Sequence, residues 1–272
     1  MNPKVNGKLR HRATVTHELA CLTPFNPNQN RLGCLNRIDN YPITNILTAP
    51  AMQDPHLDLG FDAEKVFCIG FGRTGTTSLE RALRDLGYRL GDQYQGELLV
   101  QDYLVRNFRP IVEFCLTAEA FQDAPFCLPF TYIALDQSFP RAKFILSVRD
   151  DADQWYRSLV RFHGNLFAGG RIPVKNDLLH ATLSSPGYVW KSFRAVFDTP
   201  EDDLYHKPTL ISLYDGHNAC VRNYFKPKAN LLELNLSHKG AYGELCHFLG
   251  REPVAEEFPW LNSSTPLPGT SC

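Results

Sequence analysis

Residues 66–78 read VFCIGFGRTGTTS, and this stretch decides the fold. Its first four residues are apolar and run into glycine, as expected of a buried parallel strand. Residues 76–86 carry apolar side chains at helical spacing, and Gly87 marks the end of that helix. A strand that turns through glycines into a helix directs backbone N–H groups and the positive helix end at one point. The stretch therefore predicts an anion-binding loop.

The loop resembles a nucleotide triphosphatase P-loop in its glycine spacing but lacks the lysine. Gly70 and Gly75 match G-x-x-x-x-G, and the next residue is Thr76 rather than lysine. Because that lysine reaches the β- and γ-phosphates, its absence argues against ATP or GTP. Gly75 permits a close backbone approach, and Arg73 can reach the bridging oxygen of a phosphosulfate. Three hydroxyl donors open the helix: Thr76, Thr77 and Ser78. A glycine turn that binds no ligand is the simpler alternative.

Strands and helices alternate along the rest of the chain. Two more strands are predicted at 143–148 and 231–236. Helices are predicted at 96–108, 127–139, 152–165, 188–198, 209–225 and 241–249. Residues 168–187 are rich in glycine and proline and are predicted to form a mobile surface segment. This order predicts an α/β, P-loop NTPase-like three-layer fold with a central parallel sheet flanked by helices.

Composition and hydrophobic periodicity divide the sequence into three parts. Residues 1–62 are rich in Asn, Pro and His without sustained periodicity, and they predict a partly irregular N-terminal extension. Residues 63–265 hold all the predicted strands and helices and form one large domain. Residues 266–272 are predicted to be a C-terminal tail.

Composition limits the partners and the compartment. The 272 residues carry a formal net charge of −1, so we expect no nucleic-acid partner and a local cluster of donors for any anionic ligand. We predict a cytoplasmic protein without a membrane partner, because no signal-peptide or bilayer-spanning apolar run occurs. The eight cysteines form no C-x-x-C pair and are predicted to be reduced thiols. The oligomeric state cannot be predicted from this sequence.

Residues 72–78, GRTGTTS, resemble the 5'-phosphosulfate loop of sulfotransferases that use 3'-phosphoadenosine 5'-phosphosulfate (PAPS). The loop commonly reads K/R-S/T-G-T/S-T/S, with Arg73 here as the basic residue. The resemblance, to the soluble P-loop-like branch, implies PAPS as co-substrate and 3',5'-adenosine bisphosphate (PAP) as product. It implies that the donor is bound by Arg73, Thr74, Gly75, Thr76, Thr77 and Ser78, with Arg73 also catalytic.

A second stretch resembles the 3'-phosphate motif of the same family, a strand that ends in arginine before a helix with a serine. Arg149 follows the strand predicted at 143–148, and Ser158 lies in the next helix. An arginine at the carboxyl end of a strand points into the crevice where α/β sheets bind ligands, and it can grip phosphate bidentately. Ser158 is nine residues after Arg149, where many members have eight. We attribute the difference to one extra residue in the turn; a serine on a solvated face is the alternative.

A third resemblance is C-terminal. Residues 231–236, 245–250 and 258–262 are similar to the closing signature of the soluble branch. It implies that Lys239 and Gly240 close over the 3'-phosphate, although a solvated turn explains them equally well. Together the three resemblances cover residues 65–262.

The general base is predicted by position. In cytosolic sulfotransferases a catalytic histidine lies two residues before a proline, and Asp123 precedes Pro125 in that way here. Burial would raise the pKa of Asp123 to a useful range, whereas capping of the next helix is the simpler role. The reserve bases are Glu97, Glu113 and His163. Three aromatic residues either line the acceptor pocket or pack in the core: Phe126, Phe130 and Tyr132.

The sequence thus predicts transfer of a sulfuryl group from PAPS to a hydroxyl or amine of a small-molecule acceptor. Sulfuryl carries less charge than phosphoryl, so no metal is expected. One alternative is a P-loop nucleotide-dependent kinase with Asp150 or Asp151 as the Mg²⁺ carboxylate. The other is a non-catalytic nucleotide-binding scaffold.

Overall fold

The computed structural model describes residues 59–182 and 186–259. These residues belong to one compact unit that spans Asp54–Cys272. Residues 1–58 of the predicted extension and the predicted tail at 266–272 lie outside the described residues. The predicted domain boundaries therefore stay predictions.

The centre of the described region is a four-stranded sheet in which every pairing is parallel. The strands are β1 Val66–Cys68, β2 Ala120–Phe121, β3 Lys143–Ser147 and β4 Leu231–Leu234, in the spatial order β2-β1-β3-β4. Phe67 of β1 stands opposite Phe121 on one side and Phe144 on the other. The carboxyl ends of β1 and β3 therefore lie side by side, which brings the two predicted anion-binding segments together.

Ten α-helices connect and cover the strands within the described residues. They are α1 Thr76–Asp85, α2 Gln93–Leu98, α3 Val100–Leu104, α4 Arg109–Phe114, α5 Thr131–Ser138, α6 Ala152–Phe167, α7 Lys175–His180, α8 Tyr188–Val196, α9 Lys207–Phe225 and α10 Ala241–Leu249. A single 3₁₀ turn follows α4 at Cys115–Thr117.

The sheet is buried on both faces, which makes the fold three-layered. Phe67 and Phe144 point into one apolar cluster, which includes Trp155 of α6. Cys68 and Ile145, the next residues along their strands, point into a second cluster with helices α1 and α10. Strands buried on both faces read as continuous apolar runs, as β1 and β3 do in the sequence. The predicted α/β fold with a central parallel sheet flanked by helices is confirmed.

Three predicted elements were wrong in detail. The helix predicted at 96–108 is interrupted, because α2 ends at Leu98 and the chain takes a positive φ of 59° at Arg106. The helix predicted at 127–139 begins only at Thr131, because Phe130 has a φ of 68°. The segment predicted to be mobile, 168–187, contains the ordered helix α7, whose Leu178 is fully buried. Strand β2 was not predicted at all.

The described cysteines are free thiols: Cys68, Cys115, Cys127, Cys220 and Cys246. Within residues 59–182 and 186–259, no helix combines the length and apolar character that crossing a bilayer requires.

Candidate active site

The loop between β1 and α1 is held against the sheet by a glycine that no other residue could replace without a shift. A Cβ on Gly70 would lie 2.3 Å from Ser147 O and 2.7 Å from Ser147 N, both backbone atoms of β3. The adjacent residue Ile69 donates its N–H to Ile145 O at 2.9 Å. The loop therefore leaves the sheet from a fixed position beside the end of β3.

Gly75 shapes the other end of the loop, where α1 begins. Its φ is 102°, a region that favours glycine, and its missing side chain leaves room for Leu236, whose Cδ2 would lie 2.9 Å from a Cβ. No acidic side chain occupies the first turn of α1. The first turn of a helix leaves backbone N–H groups without intrahelical partners, and the predicted donor residues Thr76, Thr77 and Ser78 form that turn. The geometry is that of an anion-binding loop.

The hydroxyl of Thr74 connects the loop to strand β3. It donates to Phe71 O at 2.7 Å and lies 2.6 Å from the hydroxyl of Ser147. The side chain is buried against these atoms. If Thr74 contributes to donor binding as predicted, it therefore does so through its backbone.

Arg73 lies at the tip of the loop with a positive φ of 75°. Its guanidinium carbon sits 3.9 Å from the centre of the Phe162 ring. Among the described residues, the buried Nε of Arg73 has no hydrogen-bond partner. Burial and the nearby Arg149 and Arg161 lower the pKa of Arg73, with Asp123 opposing them. A positively charged group in this state gains from a bound anion.

Arg149 joins the two predicted motifs. It follows β3, and its Nε donates to Arg73 O at 2.8 Å. Its backbone N–H donates to the hydroxyl of Tyr214 at 3.0 Å. Burial lowers the pKa of Arg149, and Arg161 lowers it further against the opposing effect of Tyr214 and Asp150. The two guanidinium groups predicted to bind the donor therefore belong to one site.

Helix α6 lines the same site along one face. Trp155 donates its indole N–H to Gly72 O at 3.0 Å, and Phe162 lies under Arg73. Ser158 is buried and stands three residues after Trp155 and four before Phe162, so it lies on the face that meets the loop. Ser158 therefore does not lie on a solvated helix face, which was the alternative that the sequence left open.

Asp123 lies beside the start of α1. Its carboxylate accepts a hydrogen bond from Thr76, and a Cβ on Gly72 would lie 3.9 Å from Asp123 Oδ1. Burial raises the pKa of Asp123 to about 6, and Glu97 adds to the rise. The residue also has a positive φ of 56°. A carboxyl with a pKa near 6 is mostly ionised at neutral pH and still basic enough to accept a proton.

The three reserve bases differ in their surroundings. Glu97, in α2, is close enough to Asp123 to shift its pKa. Glu113 is exposed on α4 and paired with Arg109 at 2.7 Å, so it takes no part in the site. His163 is packed among aromatic rings with its Nδ1 2.9 Å from the hydroxyl of Tyr205. Burial and Arg73 lower the pKa of His163 to about 4.

Lys239 and Gly240 lie in the turn between β4 and α10, and the turn is tied to the residue after Arg149. Asn235 donates to Asp150 Oδ1 at 2.6 Å, and His238 Nε2 lies 3.3 Å from the same oxygen. The turn borders a cavity of about 170 Å³ that also touches Leu236, the residue that packs against Gly75. The turn is therefore adjacent to both anchors.

The two carboxylates of the kinase alternative are engaged in structural roles. Asp150 accepts hydrogen bonds from Asn235 and Gln154, and these bonds outweigh desolvation and lower its pKa. Asp151 caps α6 by accepting a hydrogen bond from the backbone of Gln154 at 2.6 Å. In the part of the chain that the structure describes, no three His, Cys, Asp or Glu side chains are grouped to bind a metal ion.

The aromatic residues predicted for an acceptor pocket take other positions. Phe126 packs in a buried cluster with Phe67 and Phe121, and Tyr132 packs against Phe225. Phe130 is exposed at the start of α5. The core alternative is therefore correct for Phe126 and Tyr132.

The sequence analysis assigned no role in the site to two residues that support the loop. One is Trp155, described above. The other is His217 of α9, whose Nε2–H donates to Ile69 O at 2.9 Å while its ring stacks on Phe71 at 4.4 Å. Burial lowers the pKa of His217 to about 4, so it is neutral at physiological pH. Neither contact could be predicted from local sequence, because each joins segments that are far apart along the chain.

The chain matches the sulfotransferase domain family over residues 65–266. This range covers most of the chain and includes the loop, both arginines and Asp123, so the chain belongs to the sulfotransferase family. It is a transferase of the class that moves sulfuryl groups. No match was found among curated proteins.

Proposed function

We propose that the protein transfers a sulfuryl group from PAPS to a hydroxyl or amine of a small molecule and releases PAP. The observation that carries this proposal is the bond between Arg149 Nε and Arg73 O, at 2.8 Å. It joins two segments that resemble the 5'-phosphosulfate and 3'-phosphate motifs. A donor with anionic groups at both positions matches a site with two partly buried guanidinium groups.

The donor's 5'-phosphosulfate lies against the loop in this proposal. The backbone of residues 73–78 surrounds it, and the first turn of α1 supplies N–H groups and hydroxyls. Arg149 and Ser158 bind the 3'-phosphate, and Lys239 with Gly240 closes the turn over it. Glycine at 240 is consistent with a close approach, because a Cβ there meets nothing within 4 Å and φ is 85°.

The reaction is an in-line displacement at sulfur. The acceptor's oxygen or nitrogen forms a bond to sulfur as the bond from sulfur to the 5'-phosphate oxygen breaks. Asp123 takes the proton that the acceptor loses, and Arg73 stabilises the negative charge that develops on the leaving phosphate. The pKa of about 6 suits Asp123 to this role at neutral pH.

The acceptor side of the site is proposed at the far end of α6. Phe162, in contact with Arg73, is followed one turn later by the exposed Leu166. Leu166 borders a cavity of about 480 Å³ that is also lined by His180 and other residues of α7. Small-molecule sites in proteins have volumes of this order and combine apolar walls with a few polar groups. We propose that this cavity selects the acceptor.

Ligand-dependent thermal shift tests the donor assignment. We expect PAP without Mg²⁺ to stabilise the protein and Mg-ATP to have no effect. Stabilisation by Mg-ATP and none by PAP would support the kinase alternative and contradict the proposed donor. The Arg73→Ala variant is the control, since it should lose most of the PAP-dependent shift.

Catalysis and the acceptor need a second experiment. Incubation of the protein and PAPS with pooled metabolites should produce species heavier by one sulfuryl group. The Asp123→Asn variant should bind PAP normally and produce at least about a hundredfold less. PAP binding without any sulfated product, in wild type as in the variant, would support the scaffold alternative. The cytoplasmic location stays a prediction from the sequence.

A further inference from the structure

A third arginine, Arg161, approaches the two that the sequence motifs identify. It lies on α6, exposed to solvent, three residues after Ser158 and next to Phe162. Residues three apart on a helix are neighbours on its surface. Arg161 therefore emerges beside the serine proposed for the 3'-phosphate, on the same helix as the Phe162 ring that contacts Arg73.

The electrostatics agree with this placement. Arg161 lowers the pKa of both Arg73 and Arg149, as expected of a positive charge within electrostatic range of both guanidinium groups. Like charges gathered at one place repel one another. The carboxylate nearest to Arg149 in sequence, Asp150, is already bound by Asn235 and Gln154. An anion placed among the three arginines would relieve the repulsion.

We propose that Arg161 is a third phosphate-binding guanidinium of the donor site, acting on the nucleotide's 3'-phosphate together with Arg149 and Ser158. This inference rests on the proposed function, because it assumes a 3',5'-bisphosphate nucleotide. A PAP molecule carries more negative charge than one arginine balances, and a planar guanidinium can donate two parallel hydrogen bonds to a phosphate. The long exposed side chain lets Arg161 reach the phosphate after the nucleotide has entered.

A matched control exists on the same helix. Arg157 lies one turn before Arg161, is also exposed, and forms an ion pair with Asp153. It has the same side chain and charge as Arg161, but it is not among the charges that shift the pKa of Arg73 or Arg149. Arg157→Ala therefore reports what removal of one surface charge from α6 does to nucleotide binding without loss of a phosphate contact.

The experiment is calorimetric titration of PAP into wild type, Arg161→Ala, Arg161→Lys and Arg157→Ala. We expect Arg161→Ala to raise the Kd about tenfold or more, as for loss of a charged hydrogen bond. Arg161→Lys should recover part of the affinity because it keeps the charge, and Arg157→Ala should stay within about twofold of wild type. The unliganded Tm of Arg161→Ala should equal or exceed that of wild type, because a repelling charge is removed, whereas a merely structural role of Arg161 would lower it.

Each outcome of the PAP titration either supports the role of Arg161 or contradicts it. If Arg161→Ala and Arg157→Ala bind PAP with the same affinity, or if Arg161→Ala weakens binding only in proportion to a lower Tm, the inference is wrong and the proposed function stands. If wild type itself does not bind PAP, the proposed function fails first. Tight PAP binding by wild type with a selective loss in Arg161→Ala supports both.

Discussion

Replacement of Asp123 by asparagine should stabilise the folded protein at neutral pH while it removes activity. The pKa of Asp123 lies at about 6 in the fold, against 3.8 for an unperturbed aspartate. Ionisation of the buried carboxyl therefore costs the folded state up to about 3 kcal/mol. Asparagine has nearly the same shape and carries no charge. It also tolerates the positive φ of 56° at this position, so the backbone is not strained.

The stabilisation depends on pH in a direction that the raised pKa fixes. Below pH 4 the carboxyl is mostly protonated in the folded and the unfolded protein. The substitution therefore raises the free energy of unfolding by less than about 1 kcal/mol there. Between pH 4 and 6 the unfolded carboxyl ionises before the folded one, and wild type loses stability relative to the variant. Above pH 6 the full difference is reached.

Urea unfolding of both proteins at pH 4 and pH 8 measures this difference. A variant that is less stable than wild type at pH 8, or equally shifted at both pH values, would show that the Asp123 carboxyl is not held in a desolvated site. Turnover of wild type should fall as the pH drops through about 6, because protonated Asp123 cannot accept the acceptor's proton. The variant should lose about 10²- to 10⁴-fold in kcat.

Three further substitutions test the packing of the loop, a helical glycine used for comparison, and the second anchor. Gly70→Ala places a Cβ 2.3 Å from Ser147 O and should cost about 3 kcal/mol in the free energy of unfolding, measured by urea titration; an unchanged midpoint would contradict the close approach. Gly216→Ala, a helical glycine with nothing within 4 Å of its Cβ position, should instead stabilise by about 0.5–1 kcal/mol in the same assay. Arg149→Ala should weaken PAP binding about 10- to 100-fold in calorimetry, because it removes a phosphate ligand and the support of Arg73 O; intact affinity would mean that the second anchor is misplaced.

The elements that hold the site were predictable because local patterns specify them. Strands β1 and β3 are continuous apolar runs, and both are buried on each face as such runs predict. The loop combines the glycine spacing with a helix start, and Gly70 and Gly75 each prove necessary for a close contact. Asp123 was placed by its distance from Pro125 alone, and the structure puts its carboxyl against Thr76.

The parts that could not be predicted depend on tertiary contacts. Strand β2 is only two residues long and exists because Phe121 pairs with β1. Helix α7 lies within a glycine- and proline-rich segment, and its order depends on the burial of Leu178. Arg161 belongs to no motif, and only the fold brings its charge beside Arg73.

The packing of Leu236 against Gly75 has a consequence for synthesis of the chain. The loop that contains Gly75 is encoded near the start of the domain, whereas Leu236, which packs against it, follows strand β4. On the ribosome the loop therefore emerges long before Leu236 does. A nascent chain that ends before β4 lacks Leu236, so the packing of this loop is completed only after translation has passed β4.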